Sequence, residues 1–311
     1  MLPLFIPSPA HGVAYLGPIP IRGYAMSILA GIIAAFFLAL HRWRKLGEAG
    51  ERFENIALVA IVAGIVGARV YWVVIEWNRY FGTGHTEPWY HIFYTWEGGL
   101  GIWGAILFGF GTAWLMCRHY RVPFLRLADV VAPAFLMAQA VGRLGNYWNQ
   151  ELYGRPTTLP WGLEIDLAHR VAGFEQYATF HPTFLYEMIW NLLGVAVLLF
   201  VLEKKLHFGR GKLFASYIIW YATGRFCVEL LRIDPVDSYF GLRVNAWYTL
   251  VGWLFGVVLL IVLIKRRPGA NEVKPSAANH TEPALEAVDD AKTDIDHTAS
   301  DQKNETEEPA A

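Results

Sequence analysis

The stretch YATGRFCVELLR places Tyr221, Arg225, Glu229 and Arg232 at intervals of four, four and three residues. Those intervals put all four side chains on one face of a helix. The surrounding residues are apolar, and charge in such a setting is costly unless it faces a protein interior or a wet cavity. One reading is an Arg225–Glu229 pair that neutralises itself and serves structure alone. Arg232 adds a positive charge to the same face, however, and a surplus of guanidinium near the end of an apolar stretch suits a phosphate.

A second cluster lies in VGRLGNYWNQELYGR, residues 141–155. Arg143, Asn146, Asn149, Gln150, Glu151 and Arg155 follow the apolar run Val130–Ala140, punctuated by Gly142, Gly145 and Gly154. The glycines admit close approach of backbone or ligand, and Asn146, Asn149 and Gln150 supply neutral donors and acceptors. A hydrogen-bonded network that merely ties down a loop is the structural reading. Two arginine sites reaching one side favour anion recognition, because forked guanidinium groups match phosphate oxygens.

Other polar positions are less pointed. In HPTFLYE, Pro182 suits a first helical position and His181 a cap, while Glu187, one turn further in, is not explained by capping. Arg69 and Asp129 are expected to pair across neighbouring helices. Tyr24 sits where an interfacial aromatic is ordinary. Gly99-Leu100-Gly101-Ile102-Trp103-Gly104 fits a dinucleotide-binding spacing, but no strand precedes it. Its glycines are expected to serve close helix packing.

The elements that must position these residues are membrane helices. The chain has 311 residues, 55% hydrophobic and 17% charged, with 13 tryptophans, a composition unlike that of an average soluble domain. Seven apolar stretches approach the length of about 20 residues that a helix needs to cross a bilayer. They are approximately 23–40, 55–76, 98–117, 127–142, 182–202, 213–231 and 246–264. Arg42, Arg44, Lys45 and Arg52, then Arg118, Arg121 and Arg126, then Lys204, Lys205, Arg210 and Lys212, and finally Lys265, Arg266 and Arg267 fall on one side. The opposite side has a sparser set spread over longer segments: Arg22, Arg79, Arg143, Arg155, Arg170, Arg232 and Arg243. The positive-inside bias therefore puts the N-terminus outside and the C-terminus in the cytoplasm.

This defines an all-α integral membrane protein with seven transmembrane helices over residues 1–267, with a small extracytoplasmic head over 143–181. Residues 268–311 form an acidic cytoplasmic tail with almost no large apolar side chains, and disorder is expected there. The opening MLPLFIPSPAHG lacks the basic region of a cleavable signal peptide, so the first span is expected to act as its own anchor. Cys117 and Cys227 both lie in apolar stretches, which excludes a disulfide framework and a C-x-x-C metal or redox pair. No cofactor, metal site or nucleic-acid partner is expected.

The segment Gly142–Gly154 resembles the signature G-R-x-G-N-F-x-N-x-E-x-x-G of the bacterial prolipoprotein diacylglyceryl transferases, with Tyr147 at the usual Phe. HPTFLYE and RFCVELLR match two further blocks of that family; GPIPIRGYAM and GARVYWVV match looser ones, all in family order from about Gly17 to Arg232. The resemblance implies transfer of a diacylglyceryl group from phosphatidylglycerol to the lipobox cysteine of prolipoprotein signal peptides, on the outer side of the bacterial plasma membrane. By the same resemblance, Arg143 and Arg225 are the essential arginines, and Tyr24, Asn146, Glu151, Gly154, Tyr221 and Glu229 match other functional positions. With Asn149, Arg232 and His181 these form the expected site, in contact with membrane lipids. The long acidic tail and Trp103 are similar to actinobacterial members.

One position departs from the family. In WEGGLGIWGAI, Trp103 stands where the family block commonly has His, and indole cannot take up a proton. The substrate thiol must lose its proton elsewhere, through the field of Arg143 and Arg225 or to an oxygen of the lipid phosphate, Tyr24, Tyr221 or His181. A membrane transporter or channel for an anion would use the same arginines, but predicts polar residues leading to both faces. A structural scaffold leaves the arginine clusters unexplained.

Overall fold

The computed structural model describes residues 5–9, 11–84, 86–95 and 98–266. The acidic tail, with its expected disorder, lies outside the described residues. A hairpin of β1 (Val13–Leu16) and β2 (Ile19–Arg22) pairs Val13 with Arg22 and leads into α1 (Gly23–Lys45). Next come α2 (Gly50–Ile75), the short α3 (Trp77–Tyr80), α4 (Ile102–His119) and α5 (Phe124–Gly142). The chain breaks at Arg143 and resumes as α6 (Leu144–Asn149), which ends at Gln150 in the left-handed region, φ 51°. A two-residue pairing of β3 (Leu163–Glu164) with β4 (Thr179–Phe180) precedes α7 (Thr183–Ala196), which continues as a π-helical stretch, Val197–Glu203. Then α8 (Lys212–Glu229), the hairpin β5 (Ser238–Tyr239) and β6 (Leu242–Arg243), and α9 (Val244–Arg266) complete the described chain.

Each of the seven expected apolar stretches carries a long helix. Five are long and apolar enough by themselves to cross a membrane: 23–45, 50–75, 124–149, 183–203 and 244–266. Helices α4 and α8 are 18 residues each, and Arg118 and His119 in one, and Lys212, Arg225 and Glu229 in the other, lower their hydropathy. Large apolar side chains such as Leu58, Val62 and Ile65 of α2, and Val251, Leu254 and Phe255 of α9, are exposed. Outward apolar faces of this extent belong in hydrocarbon.

Lipid gives helices no hydrophobic reason to associate, so close backbone contact takes over. A methyl at Gly104 of α4 would lie 2.1 Å from the Gly67 carbonyl of α2, and one at Gly67 would lie 2.6 Å from the Gly104 carbonyl. The expected packing role of the 99–104 glycines is therefore met at Gly104, and at Gly101 against the Tyr71 ring. Helix α1 meets α5 the same way, with Gly31 against the Ala138 carbonyl. Helices α7 and α8 instead interlock through Trp190 and Trp220, each ring lying over a glycine of the other helix, Gly224 and Gly194.

The end of the bundle that carries the basic connections is closed by Arg42. Its guanidinium takes both oxygens of Glu203, at 2.5 and 3.0 Å, and the carbonyls of Asp129 and Val130. Asp129 accepts from the Gly211 and Phe214 amides at the start of α8. The expected Arg69–Asp129 pair does not form: Arg69 donates to the carbonyls of His91, Ile92, Gly98 and Gly99. Backbone groups turning out of a helix need partners, and Arg69 supplies them to the segment before α4 while Asp129 caps α8.

Ala132, Leu136, Val195, Leu198 and Leu213 form a buried apolar layer between α5, α7 and α8. Between α5 and α7 a separate cluster of Tyr153, Leu163, Ile165, Phe180 and Phe184 gives residues 144–182 a small core of their own.

Candidate functional site

Arg143 stands at the break between α5 and α6, and Gly145 just beyond it relieves crowding there. A methyl at Gly145 would come 2.7 Å from Tyr24 Cδ2, so the Tyr24 ring lies directly on this turn. From α7, Glu187 reaches the same point. Arg143 Nη2 bonds Glu187 Oε2, and Arg225 Nη1, from α8, bonds Glu187 Oε1 at 3.0 Å. One buried carboxylate thus joins the two arginines that the sequence placed in separate clusters.

The network extends both ways. Asn146 Oδ1 accepts from Arg143 at 3.3 Å, and Asn146 Nδ2 donates to Glu151 Oε1 at 2.9 Å, where Asn149 also donates at 3.3 Å. On the other flank, Arg225 Nη2 meets Glu229 Oε2 at 2.8 Å. Glu229 is 0% exposed and is held further by Arg243 Nε at 2.7 Å, Asn245 Nδ2 at 3.1 Å and Arg232 Nη1 at 3.4 Å. Arg232 in turn forks onto Asp234 at 2.7 and 2.8 Å, and Arg243 Nη2 reaches the same carboxylate at 2.9 Å. Burial pushes the Asp234 carboxyl up, but the Arg232 hydrogen bond and the charges of Arg232 and Arg243 outweigh it and hold the group below the usual carboxylate range.

Gly154 is bridged to Arg232 through the backbone, and its amide donates to the His181 carbonyl at 2.9 Å. A methyl there would fall 2.9 Å from His181 Cβ and 3.1 Å from the Leu231 carbonyl, which is why this position needs glycine. Tyr221 stacks on Tyr217 one turn inward from Arg225. A cleft of about 390 Å³ opens beside α6, lined in part by Trp148, Asn149, Glu151, Asp166 and His169.

The residues expected from the sequence converge in part. Arg143, Asn146, Asn149 and Glu151 form one arm, Arg225, Glu229 and Arg232 the other, with Tyr24, Tyr221 and Gly154 against them. His181 contributes backbone only: its Nδ1 lies 3.0 Å from the Tyr186 hydroxyl, with no hydrogen bond to either arginine among the described residues. Nor does it cap α7, whose N-cap residue is Pro182 and has no side-chain cap bond. Trp103 is 53% exposed with its ring against Tyr248. Glu187, Arg243, Asn245 and Asp234 were not among the expected site residues. Glu187 left a trace, a carboxylate inside an apolar run; Asp234 and Arg243 come from the connection between α8 and α9 and Asn245 from the first turn of α9, and of these only Arg243 showed, as one charge in the side-to-side asymmetry.

Long apolar helices with outward-facing hydrophobic side chains and a buried arginine–carboxylate network define a multi-pass helical membrane protein. The chain belongs to the prolipoprotein diacylglyceryl transferase family, whose model matches residues 11–262. It is 50% identical over 277 residues to the phosphatidylglycerol–prolipoprotein diacylglyceryl transferase of Cutibacterium acnes, covering 89% of this chain and 92% of that one. It is 49% identical over 269 residues to the second such enzyme of Streptomyces coelicolor, covering 86% and 84%. The Mycobacteroides abscessus enzyme is 45% identical over 291 residues, covering 88% and 84%.

Proposed function

We propose that this protein transfers the diacylglyceryl group of phosphatidylglycerol to the lipobox cysteine of prolipoprotein signal peptides. The observation that carries the reading is Glu187 held between Arg143 and Arg225. A carboxylate that satisfies both guanidiniums through its two oxygens marks out the space that two phosphate oxygens would occupy. The cysteine thiolate attacks the glycerol carbon that bears the phosphate; the carbon–sulfur bond forms as the carbon–oxygen bond breaks, and glycerol phosphate leaves with the electron pair. Arg143 and Arg225 offset the charge that grows on the leaving phosphate, and their field favours thiolate over thiol in the incoming peptide. Asn146, Asn149, Glu151 and Arg232 hold the arginines in place, and Tyr24 and Gly154 shape the mouth.

In this reading the chain crosses the bacterial plasma membrane seven times, with the N-terminus outside, the C-terminus in the cytoplasm and residues 143–181 as an extracytoplasmic head. An anion channel would need a polar path between the two ends. The buried layer of Ala132, Leu136, Val195, Leu198 and Leu213 favours the transferase instead.

Purified protein, labelled phosphatidylglycerol and a lipobox peptide test the function, with mass gain on the peptide cysteine as readout. No gain with the cysteine peptide, or equal gain with a Cys→Ser peptide, overturns it. Reporter fusions at Gly47 and Ala168 should report cytoplasm and outside respectively; the reverse pattern overturns the orientation.

A further inference from the structure

Helices α5 and α7 run antiparallel, and two contacts fix their register. Arg143 meets Glu187 near one end, and further in Leu136 packs on Gly194. Gln139 and Asn191 are each four residues inward from the Arg143–Glu187 pair, so they occupy the level between these contacts, about one helical turn below the arginines. Both present buried polar atoms at that level: Asn191, 2% exposed, has no partner for Nδ2, and Gln139 has none for Oε1, among the described residues. Native interiors rarely leave such groups unsatisfied, and two at one level of neighbouring helices, beneath a phosphate-sized arginine pair, point to a ligand that spans both levels.

Gln139 Nε2 donates to the Tyr217 hydroxyl at 2.9 Å. A hydroxyl donates as readily as it accepts. Half a turn of the Gln139 amide therefore lets Tyr217 donate to Oε1 and frees Nε2, so that Gln139 and Asn191 together offer two N–H donors. A glycerophospholipid with its phosphate on Arg143 and Arg225 carries two ester carbonyls, which only accept, roughly one turn (~5 Å) deeper.

We propose that the amides of Asn191 and Gln139 bind the two ester carbonyls of the lipid substrate and so select ester-linked over ether-linked phospholipid. This rests on the transferase reading above. Asn191 and Gln139 are positioning residues: they hold the diacylglyceryl group so that its phosphate-bearing carbon faces the thiol. Water could satisfy the same atoms, but it would confer no selectivity on the linkage.

The test compares phosphatidylglycerol with its dialkyl ether analogue, of the same headgroup and chain length, as donors to a lipobox peptide. With each neutral hydrogen bond worth about five-fold, the wild-type protein should favour the diester by about ten-fold or more in kcat/KM. Asn191→Leu and Gln139→Leu should each lower transfer from the diester by a larger factor than transfer from the diether, and so narrow the preference. A loss of equal factor on both lipids would assign these residues to structure and overturn the proposal. So would equal kcat/KM of the wild-type protein on the two lipids, a comparison that decides the matter even where a variant does not accumulate. No transfer by the wild-type protein from either lipid would instead refute the transferase reading, and this proposal with it.

Discussion

Trp190 and Trp220 each donate the indole N–H to the other's main-chain carbonyl, at 3.0 Å in both directions, with their rings stacked 4.5 Å apart. The arrangement is reciprocal because each tryptophan precedes its own helix's glycine by four residues, and each glycine receives the opposite ring. It fixes α7 against α8 one turn from Glu187 and Arg225.

Disturbing that clamp should loosen the site without touching a charge. A methyl at Gly224 would sit 2.2 Å from Trp190 Cδ1, and overpacking of this kind costs about 1–3 kcal/mol. Trp220→Phe keeps a stacked ring but removes one of the two reciprocal indole hydrogen bonds, at about 0.5–1.5 kcal/mol. Thermal unfolding in detergent should show both losses. Unchanged stability in both variants would mean that the interlock is incidental.

Arg143→Lys and Arg225→Lys should each lower transfer by about 10²-fold while the protein remains in the membrane. Lysine keeps the charge and loses the fork. Arg225 uses two separate nitrogens for Glu187 and Glu229, at 3.0 and 2.8 Å, and a single ammonium nitrogen cannot occupy both positions. Glu187→Gln replaces one acceptor oxygen with an amide that repels an arginine, and breaking a buried pair of this kind costs about 3–5 kcal/mol. Full activity in both lysine variants, measured by mass gain on a lipobox peptide, would remove the phosphate clamp.

Acid should weaken the turn between α8 and α9 through Asp234. Its carboxyl titrates below the ordinary range when folded, because Arg232 and Arg243 outweigh the effect of burial. The stability it contributes is therefore fully present above the unfolded carboxylate pKa and is lost as pH falls through the lower, folded value. Asp234→Asn should lower stability at neutral pH and flatten its decline in acid. Parallel stability–pH curves for the two proteins would show that Asp234 is not a source of that decline.

Trp103→Phe should retain substantial transfer, since the Trp103 ring packs on Tyr248 rather than on the arginines. His181→Asn should also remain active, because the imidazole bonds Tyr186 and the arginines supply the field that favours thiolate. A pH–rate profile distinguishes the routes. Loss of His181→Asn activity at every pH, with normal lipid binding, would make His181 the proton acceptor.

The helical spacing of Tyr221, Arg225, Glu229 and Arg232 was legible because it is local: one helix fixes one face. The Asn146–Glu151 arm was legible for the same reason, all its members lying within one turn and its exit. Glu187 showed only as a misplaced charge, since its meaning depends on two other helices. Asp234 and Arg243 come from a connection, and Asn245 from the first turn of α9 just beyond it, and no periodicity encodes the path that brings them back to the Glu229 network. The expected Arg69–Asp129 pair failed because opposite charge says nothing about competing backbone groups, and both residues found carbonyls or amides to serve. Hydropathy located the seven long helices of the described residues, but it grades α4 and α8 as marginal, α4 because it ends in Arg118 and His119 and α8 because it carries the site's own charges.

Glu229 has a place in the order of synthesis. It is made fourteen residues before Arg243 and sixteen before Asn245, yet both close on its Oε1. A nascent chain that has laid down α8 but not the following turn holds a carboxylate lacking two of its final partners, beside a helix already burdened with arginine. The entry to α9 thus does more than join two helices: Arg243 completes the charge balance, and Asn245 in the first turn of α9 the hydrogen bonding, of a site whose other members were translated long before.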